Sequence, residues 1–74
     1  MNYIKENSKY KLYRSNAYRE GSYWVESVER EAKAAPLRAQ GQIVCTAIFL
    51  GEETLSEEEA IKKFDAEWPE SRKL

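Results

Sequence analysis

The hydrophobic and polar positions of this chain are organised around one run without charge, residues 43–50, which reads IVCTAIFL. Gly41 and Gly51 bracket the run, β-branched and aromatic residues dominate it, and its length suits a strand. We therefore predict a central strand over residues 42–50, with Cys45 as a small buried hydrophobe. Apolar side chains occupy both faces of such a strand. The second face then needs another helix or a second copy of the chain, so a homodimer is one expectation.

A further strand is indicated at residues 9–15 by an imperfect alternation of apolar and charged side chains. The alternation divides this segment between two faces, with Tyr10, Leu12 and Arg14 on one and Lys11 and Tyr13 on the other. Residues 1–8 have weak periodicity and are expected to form a frayed end or a short edge strand. Residues 16–21 indicate a turn that ends at Gly21.

Residues 22–35 fit two structures, and the sequence leaves both open. A helix is indicated by a stripe of apolar residues at spacings of three and four, capped by Ser22 and ended by Pro36. The members of the stripe are Val25, Val28, Ala32 and Ala35. The alternative is a strand over residues 22–28 that pairs with residues 9–15 as a hairpin. The helix-forming composition of residues 29–35 favours the helix.

A C-terminal helix over residues 57–68 has the strongest local signals. Ser56 and Glu59 form the pattern of a capping box, in which each side chain accepts a hydrogen bond from the other residue's backbone N–H. The expected buried stripe consists of Ala60, Ile61, Phe64 and Trp68. Pro69 should end the helix, and residues 70–74 are expected to be a frayed tail. Trp24 and Trp68 are the expected aromatic anchors of the core.

These elements predict a single small α+β domain over residues 1–74. Two strands of its sheet are expected near residues 9–15 and 42–50. A third strand over residues 22–28 is the alternative to a helix in that segment. The sheet is packed by the helix over residues 57–68 and by a helix within residues 22–35.

The residue types present exclude most enzyme classes. The chain has no His, which removes the usual catalytic triads, most zinc sites and most proton shuttles near neutral pH. Its single Cys cannot form a disulfide within the chain, and its three glycines are too scattered for a phosphate-binding loop. We expect no enzymatic activity, no cofactor and no metal.

No apolar run approaches the roughly 20 residues that a membrane-spanning helix needs. The charged N-terminal segment lacks the apolar centre of a signal peptide. We therefore expect no membrane association and a cytoplasmic location, where a lone thiol stays reduced.

Charge is distributed unevenly along the chain. Residues 1–24 carry five basic and two acidic side chains, a net charge of +3, whereas residues 25–74 carry seven basic and eleven acidic side chains, a net charge of −4. Tyrosine and arginine are enriched at protein–protein contacts, and acidic patches favour basic partner surfaces. The candidate partner-binding residues are Tyr10, Tyr13, Arg14, Tyr18, Arg19, Glu52, Glu53, Glu57 and Glu58.

These features predict a non-enzymatic protein-binding module, such as a small inhibitor or regulator of a larger complex, including one that handles nucleic acid. Small, highly charged domains without catalytic residues are common among accessory proteins of phages and mobile elements. The alternative is a domain that binds single-stranded nucleic acid through the N-terminal Tyr/Lys/Arg face, because bases stack on aromatic rings while cations neutralise phosphates.

Overall fold

The described part of the chain folds as one four-stranded antiparallel sheet with two helices. The computed structural model describes residues 2–15, 21–51 and 53–73. The elements in chain order are β1 (Tyr3–Glu6), β2 (Tyr10–Arg14), β3 (Tyr23–Ser27), α1 (Val28–Ala39), β4 (Ile48–Phe49) and α2 (Glu57–Glu67). The strands lie in the order β1-β2-β3-β4, each antiparallel to its neighbour. The predicted α+β class is confirmed, and the sheet has one strand more than the upper prediction.

One face of the sheet packs against α2 and forms the core. Alternate residues of β2 and β3 point toward this helix, as a strand's two-residue period requires. The buried cluster consists of Tyr10, Leu12, Tyr23, Val25, Leu50, Ala60, Phe64 and Trp68. Ile61 is half-buried against this cluster. The predicted stripe of the last helix and the core position of Trp68 are therefore confirmed.

The start of α2 has the predicted capping box. The Ser56 hydroxyl accepts a hydrogen bond from the Glu59 backbone N–H at 3.2 Å, and the Glu59 carboxylate accepts one from the Ser56 backbone N–H at 3.1 Å. The hydrogen bond that the Glu59 carboxylate accepts from the Ser56 backbone N–H lowers the pKa of Glu59 from its ordinary value, because it favours the charged carboxylate. The helix ends at Glu67, with Trp68 as its C-cap.

Residues 22–35 are divided between the two structures that the sequence left open. The predicted apolar stripe is not formed, because Val25 lies in β3 and Val28, Ala32 and Ala35 are exposed. Strand β3 pairs with β2 in the expected hairpin, and α1 begins directly after it. The N-cap of α1 is Ser27, whose hydroxyl accepts from the Arg30 backbone N–H, so the prediction of Ser22 as the N-cap was wrong. Ser22 is instead buried directly before β3.

Pro36 lies inside α1, so the prediction that it ends the helix was also wrong. The helical turn that follows Pro36 is stabilised by side-chain contacts of Arg38, in addition to the backbone hydrogen bonds of the helix. Arg38 forms an ion pair with Glu31, and its Nε and Nη2 atoms donate to the carbonyl of Val44 at 3.0 and 2.8 Å. These contacts offset the backbone hydrogen bond that proline cannot make.

The predicted central strand over residues 42–50 shortens to β4, a two-residue edge strand. Ile43 is fully exposed at 101 %, and Cys45 is exposed rather than buried. The physical reason is that residues 44–46 are bound to α1: Arg38 holds the Val44 carbonyl, and the Thr46 hydroxyl donates to Glu31 at 2.5 Å. The two-sided apolar strand that motivated a homodimer is therefore absent from this segment, and self-association stays a prediction.

The edge strand β1 is the second alternative that the sequence left open for residues 1–8. A β-bulge between Tyr3 and Lys5 shifts its register against β2. Because a bulge inserts one unpaired residue, both Tyr3 and Glu6 point away from α2. In the part of the chain that the structure describes, no helix is long and apolar enough to cross a bilayer.

Candidate functional site

The face of the sheet opposite α2 carries a row of aromatic side chains, one from each strand. The register pairs Tyr3 with Tyr13, Tyr13 with Trp24, and Trp24 with Phe49. We call Tyr3, Tyr13, Trp24 and Phe49 the aromatic row. Because neighbouring strands lie about 4.8 Å apart, the row crosses the sheet over about 14 Å.

The rings of the row contact one another in two different geometries. Tyr13 and Trp24 are stacked, with centroids 4.4 Å apart and an angle of 10° between the ring planes. Tyr3 packs edge-on against Tyr13, with centroids 6.0 Å apart and an interplanar angle of 77°. The outer members are open to solvent, since Tyr3 is 42 % and Phe49 53 % exposed. The row thus has a half-buried centre of stacked rings and two accessible ends.

A second, charged row lies beside the aromatic row on the same face. The register places Lys11 between Glu6 on β1 and Glu26 on β3, so acidic, basic and acidic side chains alternate across three strands. Burial raises the pKa of the Tyr13 hydroxyl, and the negative charges of Glu26 and Glu6 raise it further while Lys11 opposes them. This face therefore combines exposed rings with a small excess of negative charge.

Tyr3 is tied to the charged row by a hydrogen bond. Its hydroxyl donates to the Glu6 carboxylate at 2.9 Å. This bond is the main reason that the pKa of Tyr3 lies above its ordinary value, because the carboxylate favours the protonated phenol. The exposed ring is thus held in place at the edge of the sheet.

The side of the face next to α1 is closed by the Glu31–Arg38 ion pair and the segment bound to it. A shallow pocket of about 290 Å³ lies there between Trp24 and residues 44–47. Hydrogen bonds from Arg38 and Thr46 lower the pKa of Glu31 from its ordinary value, because both donors favour the charged form. This pair joins α1 to the loop that leads into β4, the strand that carries Phe49.

The structure separates the residues that the sequence grouped as a partner-binding site. Tyr13 lies in the aromatic row. Tyr10 is buried in the core, and its hydroxyl donates to the carbonyl of Arg72 at 2.6 Å. Arg14 lies at the end of β2 and forms an ion pair with Glu57 at 3.0 Å. Tyr18, Arg19 and Glu52 lie outside the described residues.

The remaining predicted acidic residues lie around the start of α2. Glu53 and Glu58 are exposed, and Glu58 is 4.0 Å from Lys62 one helical turn later. Such exposed pairs contribute little to stability. Because these carboxylates lie outside the strands that form the aromatic row, they do not belong to the same surface as the row.

Three members of the aromatic row were not among the predicted site residues: Tyr3, Trp24 and Phe49. Trp24 is half-buried on the open face, so its assignment to the core was wrong. The signal that identifies it is the two-residue period of β3, which places Trp24 opposite the buried side chains of Tyr23 and Val25. Tyr3 and Phe49 join the row only through strand register, which local sequence patterns do not specify.

Among the described residues, no group of three or more Cys, Asp or Glu side chains is placed to hold a metal ion. No protein-family model, curated protein or solved structure matches the chain with significance, so the interpretation of function rests on the geometry of its surfaces.

Proposed function

We propose that this chain is a non-enzymatic protein-binding module that docks a partner through the aromatic row. The observation that carries the proposal is the position of four aromatic residues, one per strand, on the sheet face that α2 leaves open. Tyrosine and tryptophan supply large contact areas at a low entropic cost, and they are enriched among the residues that dominate binding energies. A role as a small inhibitor or regulator of a larger complex, in a cytoplasmic setting, agrees with such a module.

The charges of this face favour a protein partner over nucleic acid. Lys11 is flanked by two carboxylates, so a phosphate backbone laid along the charged row would meet net repulsion. Two other N-terminal cations are engaged elsewhere: Lys5 pairs with Asp65 at 3.0 Å, and Arg14 pairs with Glu57. These contacts support the protein-binding proposal against the single-stranded nucleic-acid alternative.

The same charges indicate the chemistry of the partner surface. Apolar side chains would cover the aromatic row, and a lysine or arginine beside them would meet Glu6 and Glu26. An arginine could also lie over an aromatic ring, where cation–π attraction adds to the ionic contact. We therefore propose a partner surface that combines apolar and basic side chains.

The test is affinity purification with matched variants at the two accessible ends of the row. Phe49→Ser and Tyr3→Ser remove exposed rings, whereas Leu37→Ser removes an apolar side chain of comparable exposure (38 %) on α1. We expect the unmodified chain and Leu37→Ser to recover a stoichiometric protein partner. Phe49→Ser and Tyr3→Ser, the two variants in the aromatic row, should each lose it. A partner that the row variants retain would refute the proposal, as would the absence of a stoichiometric partner.

The nucleic-acid alternative is tested separately with a single-stranded oligonucleotide at low salt, using tryptophan fluorescence. Trp24 is half-buried in the row and Trp68 is buried in the core, so stacking of bases on the row would change the signal of Trp24. We expect no saturable change. A saturable change that weakens steeply with salt and disappears in Trp24→Leu would favour the alternative.

A further inference from the structure

A cleft of about 330 Å³ lies between the start of α1, the paired ends of β2 and β3, and the chain after α2. Its floor includes Tyr10 and Ser27, which are register partners. Five cationic side chains from three parts of the chain line it: Lys9, Arg30, Lys33, Arg72 and Lys73. Glu29 is the acidic residue in the lining, so the cleft has a net charge of +4.

This charge is concentrated in a chain whose overall net charge is −1. Across residues 2–15, 21–51 and 53–73, no carboxylate lies within 4.0 Å of the side-chain charges of Lys9, Arg30 or Lys73. Lys33 approaches Glu29 at 3.4 Å, but both side chains are more than three-quarters exposed. An exposed pair of this kind is weak, so Glu29 offsets little of the positive charge of the cleft lining.

One wall of the cleft is held in place by contacts of its own. The guanidinium of Arg72 lies 3.9 Å from the centroid of the Trp68 ring, and its Nη1 atom donates to the carbonyl of Glu67 at 2.6 Å. The carbonyl of Arg72 accepts the hydroxyl hydrogen of buried Tyr10. The cation is therefore positioned before a ligand arrives, which reduces the entropic cost of binding.

The opposite wall is the first turn of α1, which the Ser27 cap fixes to the end of β3. Val28 donates its backbone N–H to the carbonyl of Lys9 at 2.9 Å, so the two segments that carry Lys9 and Arg30 are joined. The cations thus surround one depression, and they do not form a stripe along the surface.

We propose that this cleft binds a compact polyphosphate group of a small ligand. Arginine recognises phosphate with paired hydrogen bonds and lysine adds point charges, and the cleft presents two arginines and three lysines. Its volume lies at the lower end of small-molecule sites, which begin at roughly 300 Å³. A compact depression suits a short chain of phosphates better than an extended backbone, which needs a groove or stripe of cations.

The cleft is independent of the protein-binding proposal. Tyr10 and Ser27 point to the α2 side of the sheet, whereas Tyr13 and Trp24 point to the open face. A variant in the cleft therefore leaves the aromatic row intact, and failure of either proposal leaves the other standing.

The test is a titration of the full chain with tripolyphosphate at low ionic strength, followed by two-dimensional amide NMR. We expect saturable shifts that concentrate at residues 9, 27–33 and 72–73. Arg30→Gln should weaken binding about tenfold, because a charge-assisted bond to phosphate is lost. The matched control is Lys62→Gln, which removes the same charge from a 77 % exposed position on α2 and should change affinity less than about twofold.

Two further probes test whether the cleft prefers a short polyphosphate to other polyanions. A single-stranded oligonucleotide and an oligoglutamate peptide, compared at equal total charge, should bind the cleft more weakly than tripolyphosphate. The proposal is overturned if either probe binds more tightly, if shifts are absent, or if Lys62→Gln weakens binding as much as Arg30→Gln. Circular dichroism of each variant verifies that the fold is unchanged, and Lys9→Gln provides a second variant if Arg30→Gln fails to fold.

Discussion

The stack of Tyr13 on Trp24 should stabilise the sheet through a measurable coupling between the two rings. Their centroids lie 4.4 Å apart with nearly parallel planes, at the close end of the range for aromatic pairs. Such pairs contribute about 0.5–1.5 kcal/mol beyond area burial, and cross-strand partners about 0.2–1 kcal/mol. We therefore expect a coupling free energy of about 1 kcal/mol for this pair.

The assay is a double-mutant cycle measured by urea unfolding and far-UV circular dichroism. Tyr13→Leu, Trp24→Leu and the double variant keep an apolar side chain at each position and remove one or both rings. A chain of 74 residues has a free energy of unfolding of about 4–11 kcal/mol at typical values per residue, which leaves room for the double variant to fold. The coupling is the amount by which the double variant falls short of the two single effects added together.

The matched control cycle pairs Tyr13→Leu with Ile61→Ala, because Ile61 packs against the core on the other side of the sheet. Independent sites add within about 0.3–0.5 kcal/mol, so the control should show a coupling inside that range. If the Tyr13–Trp24 coupling is no larger than the control, the expectation that the stacked rings stabilise the sheet as a pair is refuted.

Three substitutions and one labelling experiment have outcomes that follow directly from the structure. Ser56→Ala should lower the free energy of unfolding by about 1 kcal/mol through loss of the α2 cap, measured by thermal unfolding against the exposed control Ser71→Ala. Glu31→Gln should be less stable than the unmodified chain above pH 4.5, the ordinary pKa. The difference in stability should shrink as the pH falls through the lowered native pKa of Glu31, because the Glu31 carboxylate of the unmodified chain then loses its charge. Urea midpoints measured across this pH range test the expectation. Pro36→Ala should raise the urea midpoint because a helix interior disfavours proline, and an unchanged or lower midpoint would contradict that reasoning. Exposed Cys45 should react stoichiometrically with a thiol reagent in the native state, and protection until unfolding would show that it is buried.

The elements that the sequence predicted well are those whose signals are local. The cap of α2 involves residues three positions apart, and its buried stripe repeats every three to four residues. The alternation in residues 9–15 likewise placed Tyr10 and Leu12 on one face of a strand, and the structure buries that face. Each of these patterns needs only a short window of sequence to be recognised.

The central strand was mispredicted because apolar content alone does not specify strand pairing. Ile43 and Val44 are as apolar as the residues of β4, but Arg38 binds the Val44 carbonyl and directs the chain along α1. That contact joins a helix side chain to a loop carbonyl, and the pattern of apolar and polar residues in the sequence does not predict such a contact. The chain forms β4 only at Ile48 and Phe49, where it pairs with Val25 and Trp24.

The candidate site was only partly predictable for the same reason. Tyr13 could be identified from its own strand, but its neighbours in the row come from three other strands. The bulge in β1 decides that Tyr3 faces Tyr13, and a shift of one residue would place Tyr3 on the opposite face.

The open face follows from the small number of elements available to cover the sheet. Helix α2 packs on one side, whereas α1 continues from the end of β3 and buries only Ala34 among its described residues. The rings that remain uncovered stabilise strand pairing at the centre of the row and are accessible at its ends. Changes at Tyr13 or Trp24 should therefore affect both folding and binding, whereas changes at Tyr3 or Phe49 should affect binding more than folding. For this reason the two ends of the row, and not its stacked centre, are the positions at which partner binding can be tested separately from stability.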